Sequence, residues 1–225
     1  IQDVCLQDLP VVFAVDRAGL VGEDGPTHHG NFDLTYLTMI PRMVVMAPSD
    51  EEELKLMLEF ALTDNFGPIA IRYPRGSSPG GIPRGPKIEL GKARVLRVGK
   101  DGCVLAIGYG THQSVAAAQL LSAQGIELTV VDARFAKPLD EQLYLNLAER
   151  HGSIVTVEEN TLLGGFGAAV SLLVERFPKR PRLRCLGLPD RFVEHGSRET
   201  LLEEVTLSAS RLAEEFRQFF SESRR

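Results

Sequence analysis

Short apolar runs alternate with helical patterns along this chain, and this alternation constrains the fold most. The runs are four or five residues long, which is typical of strands buried on both faces of a sheet. Helical patterns separate most of the runs, so we predict an α/β fold with mostly parallel sheets covered on both sides. The predicted strands are 11–15, 44–47, 69–72, 104–107, 128–131, 154–157 and 183–186.

Recognisable start signals precede several of the predicted helices. Ser49 and Glu52 form a capping box for a helix that ends between Asn65 and Pro68. Thr111 and Asp140 are predicted N-caps of two later helices. Further helices are predicted over 1–9, 32–39, 164–176 and a C-terminal amphipathic stretch carrying Leu212, Phe216, Phe219 and Phe220.

A segment rich in proline and glycine divides the chain. Pro74 to Gly91 holds four prolines and five glycines and few large apolar residues, which is typical of a linker between domains. We therefore predict one domain over 1–73, a linker over 74–92 and a second domain over 93–225.

Charge and cysteine usage exclude several classes of function. A net charge of −5 argues against a nucleic-acid or membrane-surface partner. No apolar run approaches the length of a transmembrane helix, and no signal peptide is visible. The three cysteines are far apart and lack zinc-type spacing, so we expect reduced thiols in a cytoplasmic protein.

The first candidate site lies in the loop that follows the first predicted strand. Arg17 ends that strand, and its guanidinium could bind a carboxylate or phosphate in a bidentate manner. The alternative is a surface salt bridge to Asp16 or Glu23.

Asp24 and His28 follow in the same glycine-rich loop. A carboxylate near an imidazole can orient the ring and raise its pKa, which suits proton transfer near neutral pH. The alternative is that His28 and His29 are two loop histidines in structural hydrogen bonds. His28 and His29 are not predicted to bind a metal, because adjacent side chains in an extended segment point apart and no third ligand follows.

Two arginines flank Tyr73-Pro74 at the end of the third predicted strand. Alternation along an extended segment places Arg72 and Arg75 on opposite sides, so only one is expected to face a given pocket. The alternative is that both arginines anchor the linker.

Two glycine-containing turns resemble ligand-binding loops weakly. Gly108 and Gly110 open a helix, but the third glycine of a dinucleotide fingerprint is absent, so a tight turn is favoured. The turn 164–167 could cradle an anion at a helix N-terminus or simply let the chain turn. Glu158 and Glu159 end the strand before it; one of them could be functional, but a solvated rim is favoured there.

Six stretches together carry a family resemblance. In order they read DRAG-x-VG-x-DG-x-THHG, PSDEEEL, IRYPRG, DARFAKPLD, VTVEEN followed by GG-x-G, and GLPDRF. This order and spacing resembles the 1-deoxy-D-xylulose-5-phosphate synthase family, and the likeness covers nearly the whole chain. DRAG with THHG and YPRG distinguishes this family from other thiamine-diphosphate enzymes. The similar region is the last third of those enzymes, namely part of the pyrimidine-binding domain (1–73) and the transketolase-type C-terminal domain (93–225).

The resemblance implies an enzyme that condenses pyruvate with D-glyceraldehyde 3-phosphate, with thiamine diphosphate and magnesium as cofactors. It implies that Arg17 and Arg75 hold the phosphate of the acceptor. It also implies that Asp24 and His28 line the site beside the thiazolium and that His28 handles protons. The product would feed isoprenoid, thiamine and pyridoxal biosynthesis.

Cofactor-binding residues are expected upstream of Ile1, because the family's activating glutamate and its magnesium motif do not occur in this chain. The absence of an initiator Met agrees with that expectation. We therefore expect the chain alone to be inactive, with the upstream portion and a second copy in a homodimer as partners. The alternatives are a fragment of a transketolase or of a 2-oxo-acid dehydrogenase β subunit, or a non-catalytic nucleotide-binding module.

Overall fold

The computed structural model describes residues 1–63, 66–77 and 80–221 and confirms the predicted α/β fold. The predicted end of the second helix at Asn65 lies outside the described residues. The strands are β1 (Val12–Val15), β2 (Val44–Met46), β3 (Ile69–Arg72), β4 (Arg94–Arg97), β5 (Gly102–Ala106), β6 (Leu128–Asp132), β7 (Phe135–Lys137), β8 (Ser153–Thr161) and β9 (Arg182–Leu188). The helices are α1 (Asp33–Thr38), α2 (Glu51–Thr63), α3 (Gly110–Ser122), α4 (Glu141–His151), α5 (Phe166–Val174), α6 (Arg198–Glu204) and α7 (Ala209–Ser221).

A four-stranded sheet has the order β1-β3-β2-β7. Strands β1, β2 and β3 are parallel, and β7 pairs antiparallel with β2 through Val45 and Lys137. Strand β7 comes from the second half of the chain, so the sheet of the first half is completed across the predicted linker. The sequence analysis missed β7, because its three residues are too few for a periodic pattern.

A five-stranded sheet has the order β4-β6-β5-β8-β9. All of its pairs are parallel except that of the edge strand β4 with β6. Ala106 of β5 lies beside both Asp132 of β6 and Val157 of β8. The carboxyl ends of three strands therefore meet at one edge, where α/β proteins place their sites.

One apolar core is shared by the two halves of the chain. Val45 of β2 and Leu34 of α1 belong to the same buried cluster as Leu105 of β5, Leu147 of α4 and Phe166 of α5. Burial of this size is the main stabilising term available to the fold. Among residues 1–63, 66–77 and 80–221, no helix is both long and apolar enough to cross a membrane.

The predicted linker is tied to this core by a buried ionic cluster. Arg134 makes a bidentate pair with Glu53 at 2.9 Å for each bond, and Arg94 approaches the same carboxylate at 3.0 Å. Arg94 also donates to the carbonyl oxygen of Pro83 at 2.9 Å, and Arg134 donates to that of Pro86 at 3.2 Å. The segment has no regular secondary structure at these prolines. Charge-assisted hydrogen bonds from the two arginines nevertheless hold its backbone in place.

Three of the predicted helix signals were wrong. Residues 1–9 form turns rather than a helix, because Asp8 has a positive φ of 56° that the helical backbone excludes. The Ser49 hydroxyl donates to Asp132 at 2.8 Å, and Asp50 caps α2 instead by accepting from the Glu53 N–H at 2.8 Å. Thr111 lies inside α3, which has no side-chain cap.

One predicted helix signal is confirmed. The Asp140 carboxylate accepts from the Leu143 N–H at 3.2 Å and so caps α4.

Candidate active site

The loop from Arg17 to Gly30 leaves the carboxyl end of β1 and closes on itself. The N–H of Gly19 donates to the carbonyl of Gly30 at 2.8 Å, and the N–H of Gly30 donates back at 2.9 Å. A Cβ at Gly30 would collide with the carbonyl oxygen of Arg17, so only glycine allows the two loop ends to approach this closely.

His29 belongs to the buried interior of this loop. Its Nδ1 accepts from the N–H of Val21 at 3.0 Å, and its Nε2 lies 3.4 Å from the carbonyl oxygen of Glu194. Among the described residues, no group of three or more His, Cys, Asp or Glu side chains could hold a metal ion. The geometry of His29 is therefore that of a residue that supports the loop.

Asp24 and His28 lie on the exposed side of the same loop. The Asp24 carboxylate forms an ion pair with Arg75, which lies 51 residues further along the chain. The Nδ1 of His28 lies 2.9 Å from the hydroxyl of Thr27. The structure thus brings Asp24 to Arg75 rather than to His28, and the predicted carboxylate–imidazole pair is replaced by these two contacts.

Arg17 forms the surface salt bridge to Asp16 that the sequence analysis gave as the alternative. Its guanidinium pairs with the adjacent Asp16, and both side chains are about half exposed. Exposed pairs of this kind contribute at most about 1 kcal/mol. The Arg17 guanidinium can therefore exchange Asp16 for a stronger anion at little cost.

The structure separates Arg72 from Arg75 clearly. Arg72 is buried and makes a bidentate pair with Asp33 at 2.9 and 3.0 Å. It also donates to the carbonyl oxygens of Gly30 and Glu159 at 3.1 and 3.0 Å. Arg75 remains 55% exposed, so of these two arginines it is the one able to meet a ligand.

Arg75 lines a cleft with a volume of about 470 Å³ between the two halves of the chain. The cleft lies at the ends of β2 and β3 and at the start of α2, α3 and α6. Tyr73, Tyr109 and Arg198 line it as well. The remaining lining residues are Pro48, Ser49, Asp50, Glu51, Leu54, Pro74, Gly76, Ser77 and Glu199.

Sequence reasoning missed Tyr109 and Arg198. The Arg198 guanidinium lies over the Tyr109 ring at 4.4 Å from its centroid, a cation–π geometry. Its Nη2 is 2.6 Å from Oε2 of Glu159. Ser197, which caps α6, is the sequence signal that could have placed Arg198 at a helix start.

The expected solvated rim at Glu158 and Glu159 was wrong. The two residues are 0% and 3% exposed, because β8 continues to Thr161 and still pairs with β9 there. Glu158 accepts from the N–H groups of Phe166 and Gly167, each at 2.7 Å.

The carboxylate of Glu158 therefore occupies the anion cradle of turn 164–167. Gly165 leaves no room there, since a Cβ would collide with Oε2 of Glu158. Burial raises the pKa of Glu158 to about 7, against the opposing effect of the two N–H groups and of Arg72.

The glycine turn at Gly108 does not have the surroundings of a dinucleotide site. Gly108 has a positive φ of 60°, as a tight turn requires. Asp132, which stands where the fingerprint has its acidic residue, is fully buried and bound to Ser49. Burial and the nearby Glu53 raise the pKa of Asp132 to about 6. It is therefore part of the core rather than available to a ribose.

Comparison with known families identifies both halves of the chain. Residues 1–80 match the family described as "Transketolase, pyrimidine binding domain", and residues 91–212 match "Transketolase, C-terminal domain". Among solved structures, a split-gene transketolase described as an "inactive beta4 tetramer" has a TM-score of 0.87 and 30% identity. That match covers 97% of this chain and 69% of the other. A transketolase mutant from Pichia stipitis has a TM-score of 0.80 at 21% identity, over 98% of this chain and 31% of that one, and shows the fold alone.

Two curated proteins that are about 50% identical to this chain are 1-deoxy-D-xylulose-5-phosphate synthases. The chain is 51% identical over 222 residues to the 1-deoxy-D-xylulose-5-phosphate synthase of Chlorobium luteolum and 52% identical over 225 residues to that of Gloeobacter violaceus. Each alignment covers 98% of this chain and 35% of the relative, so the chain spans about a third of their length. The chain belongs to the transketolase family, and its curated relatives of about 50% identity are 1-deoxy-D-xylulose-5-phosphate synthases.

Proposed function

We propose that this chain forms the acceptor side of an active site that condenses pyruvate with D-glyceraldehyde 3-phosphate. The products would be 1-deoxy-D-xylulose 5-phosphate and carbon dioxide. The observation that carries the proposal is the contact of Arg75 with Asp24 at the cleft. It joins the YPRG stretch to the DG pair of the loop 17–30, although the two stretches lie far apart in sequence.

Arg17 and Arg75 would bind the phosphate of the acceptor. Both guanidiniums are about half exposed, and each is paired with a single exposed or half-buried carboxylate. A phosphate dianion can accept charge-assisted, bidentate hydrogen bonds from a guanidinium, and these bonds are stronger than the exposed pairs with Asp16 and Asp24. Binding energy from this remote group can then serve the bond-forming step by orienting the acceptor carbonyl.

His28 would move the proton at the reacting oxygen of the acceptor. Its Nδ1 is engaged by Thr27, so Nε2 is the ring nitrogen available to a substrate. An imidazole can act as a general acid when it lies within hydrogen-bond reach of the reacting oxygen. Asp24 would orient the Arg75 guanidinium through their ion pair.

Thiamine diphosphate, when bound, would supply the carbon nucleophile. The described residues contain no cluster of His, Cys, Asp or Glu that fits a metal ion. We therefore assign magnesium and the diphosphate contacts to the additional chain that the relatives possess. From the resemblance to the synthase family we also propose a homodimeric, cytoplasmic enzyme of isoprenoid, thiamine and pyridoxal biosynthesis.

The chain without that additional portion is expected to be inactive. The split-gene transketolase of the same fold is described as an inactive tetramer, which supports this expectation. Refolding residues 1–225 alone and titrating thiamine diphosphate should give neither tight binding nor turnover.

The test is an assay of the full-length protein with pyruvate, D-glyceraldehyde 3-phosphate, thiamine diphosphate and magnesium. We expect release of carbon dioxide and formation of 1-deoxy-D-xylulose 5-phosphate. Ketol transfer from xylulose 5-phosphate without carbon dioxide release would instead identify a transketolase and contradict the proposal.

A further inference from the structure

We propose that Glu159 and Arg198, both from the second half of the chain, are positioning residues that hold the loop 17–30 in its reactive geometry. The inference concerns the reaction proposed above and rests on it. Neither residue needs to touch a substrate for this role, since both act through the backbone of Leu20.

Glu159 binds the inner side of the loop. Its Oε1 accepts from the N–H of Leu20 at 2.7 Å, and its side chain is 4% exposed. A Cβ at Gly19 would collide with the Glu159 carboxyl group, so the loop backbone lies directly on this carboxylate. A buried, charge-assisted bond of this kind is stronger than an ordinary hydrogen bond.

Arg198 binds the other backbone group of the same residue. Its Nη1 donates to the carbonyl oxygen of Leu20, and its Nη2 donates to Oε2 of Glu159 at 2.6 Å. The N–H and the C=O of Leu20 are therefore both bound by one ion pair. Stacking on Tyr109 fixes the guanidinium plane.

The segment before Arg198 follows the loop further. The Gly196 N–H lies 3.4 Å from the carbonyl oxygen of Gly22, and a Cβ on Gly25 would lie 3.2 Å from Cβ of His195. These contacts cover the inner side of the loop, whereas Asp24 and His28 stay on the exposed side.

The loop needs such external support because its glycine-rich sequence allows many backbone conformations. Gly19, Gly22 and Gly25 all have positive φ, and a chain with three such glycines has many alternative conformations. Holding reacting groups in one geometry accounts for a large part of enzymatic rate, and a displacement of about 1 Å can cost about 100-fold. The ion pair therefore gives the C-terminal half a direct role in the reaction.

The experiment compares Arg198→Ala, Arg198→Lys and Glu159→Gln with the wild type in the full-length protein. Arg191→Ala is the matched control, because Arg191 is also an arginine of the second half of the chain and forms an exposed ion pair with Glu204. Hydrogen–deuterium exchange of a peptide covering 17–30 reports the loop without any need for activity. Steady-state kinetics with both substrates reports the reaction.

We expect amide exchange at Leu20 and Val21 to rise about tenfold in Arg198→Ala and Glu159→Gln. The value of kcat should fall about tenfold in the same variants, with partial recovery in Arg198→Lys and no change in the control. The remaining peptides should keep wild-type exchange.

Two results would overturn the inference. The first is loop exchange equal to that of the control in every variant. The second is a uniform rise over the whole protein, which would make the pair merely structural. Failure of the wild type to form 1-deoxy-D-xylulose 5-phosphate would instead contradict the proposed function, and the exchange data would still decide the inference.

Discussion

Two glycine-rich turns follow parallel strands in this molecule, and they differ in what fills them. The loop 17–30 after β1 keeps Asp24 and His28 exposed, and Asp24 pairs with Arg75, which lines the cleft. The turn 164–167 after β8 is closed by the carboxylate of Glu158, which takes the N–H groups of Phe166 and Gly167.

The difference arises at the carboxyl end of β8, whose two neighbouring glutamates bind different turns. Glu158 and Glu159 are neighbours on β8, and successive side chains of a strand point to opposite faces. Glu158 reaches its own following turn, and Glu159 reaches the loop 17–30 through Leu20. Glycine patterns alone therefore do not distinguish an open site from a filled one; the position of the nearest carboxylate decides.

The largest expected effect is on the open loop. His28→Ala should lower kcat about 100-fold or more, the usual share of a general acid. Its free energy of unfolding should stay within about 0.5 kcal/mol of wild type, because His28 is exposed. Steady-state kinetics and denaturant unfolding of the full-length protein check both. A kcat within threefold of wild type would remove His28 from the chemistry.

At the closed turn, by contrast, we expect substitution to lower stability. Glu158→Ala leaves two buried N–H groups without an acceptor and should reduce the free energy of unfolding by about 3 to 4 kcal/mol. Glu175→Ala is the control, since Glu175 makes an exposed pair with Arg180 and should change stability little. Equal stability of the two variants would mean that Glu158 does not hold the turn.

The pH dependence of stability gives a second test of the closed turn. Burial raises the pKa of Glu158 to about 7 from an ordinary 4.5, so the folded protein binds this proton more tightly than the unfolded chain. The stabilising contribution of Glu158 is therefore complete below about pH 4.5 and declines as the pH rises to about 7.

Glu158→Gln removes this titration. The free energy of unfolding of wild type minus that of Glu158→Gln should fall by about 2 to 3 kcal/mol between pH 4.5 and 7.5. Denaturant unfolding at several pH values measures the difference. A constant or rising difference would contradict the environment described for Glu158.

Alanine at one glycine of each turn should give the smallest effects. Gly25 and Gly164 both have φ of 73°, so each change to alanine strains the backbone by about 1 kcal/mol. A Cβ on Gly164 would lie 2.9 Å from Cγ2 of Thr35, which adds to the loss of stability. We expect Gly25→Ala to lower kcat more than Gly164→Ala, and the reverse order would count against the comparison.

Much of the fold could be predicted from local pattern. Apolar runs located β1, β2, β3, β5, β6, β8 and β9, and the Asp140 cap of α4 was read correctly. Strand β7 could not be found, because its place in the first sheet depends on a partner 90 residues away. Ser49 was misread as a cap because its hydroxyl is used by Asp132, a contact that only the folded chain creates.

Site residues that belong to a sequence motif of the family could be predicted. Residues whose role depends on a tertiary contact could not. Arg17, Asp24, His28 and Arg75 came from motifs, and their roles remain predictions. The burial of Glu159 and its pair with Arg198 come from strand β8 and helix α6 meeting the loop. No local pattern encodes that meeting.

The most direct test of the account is the selectivity of the full-length enzyme for a phosphorylated acceptor. The quantity is the ratio of kcat/KM for D-glyceraldehyde 3-phosphate to that for D-glyceraldehyde. We predict that Arg75→Ala lowers this ratio about 100-fold, as loss of a charge-assisted bidentate contact would, and that Arg191→Ala leaves it unchanged. An unchanged ratio in Arg75→Ala would contradict the claim that the cleft beside loop 17–30 holds the acceptor phosphate.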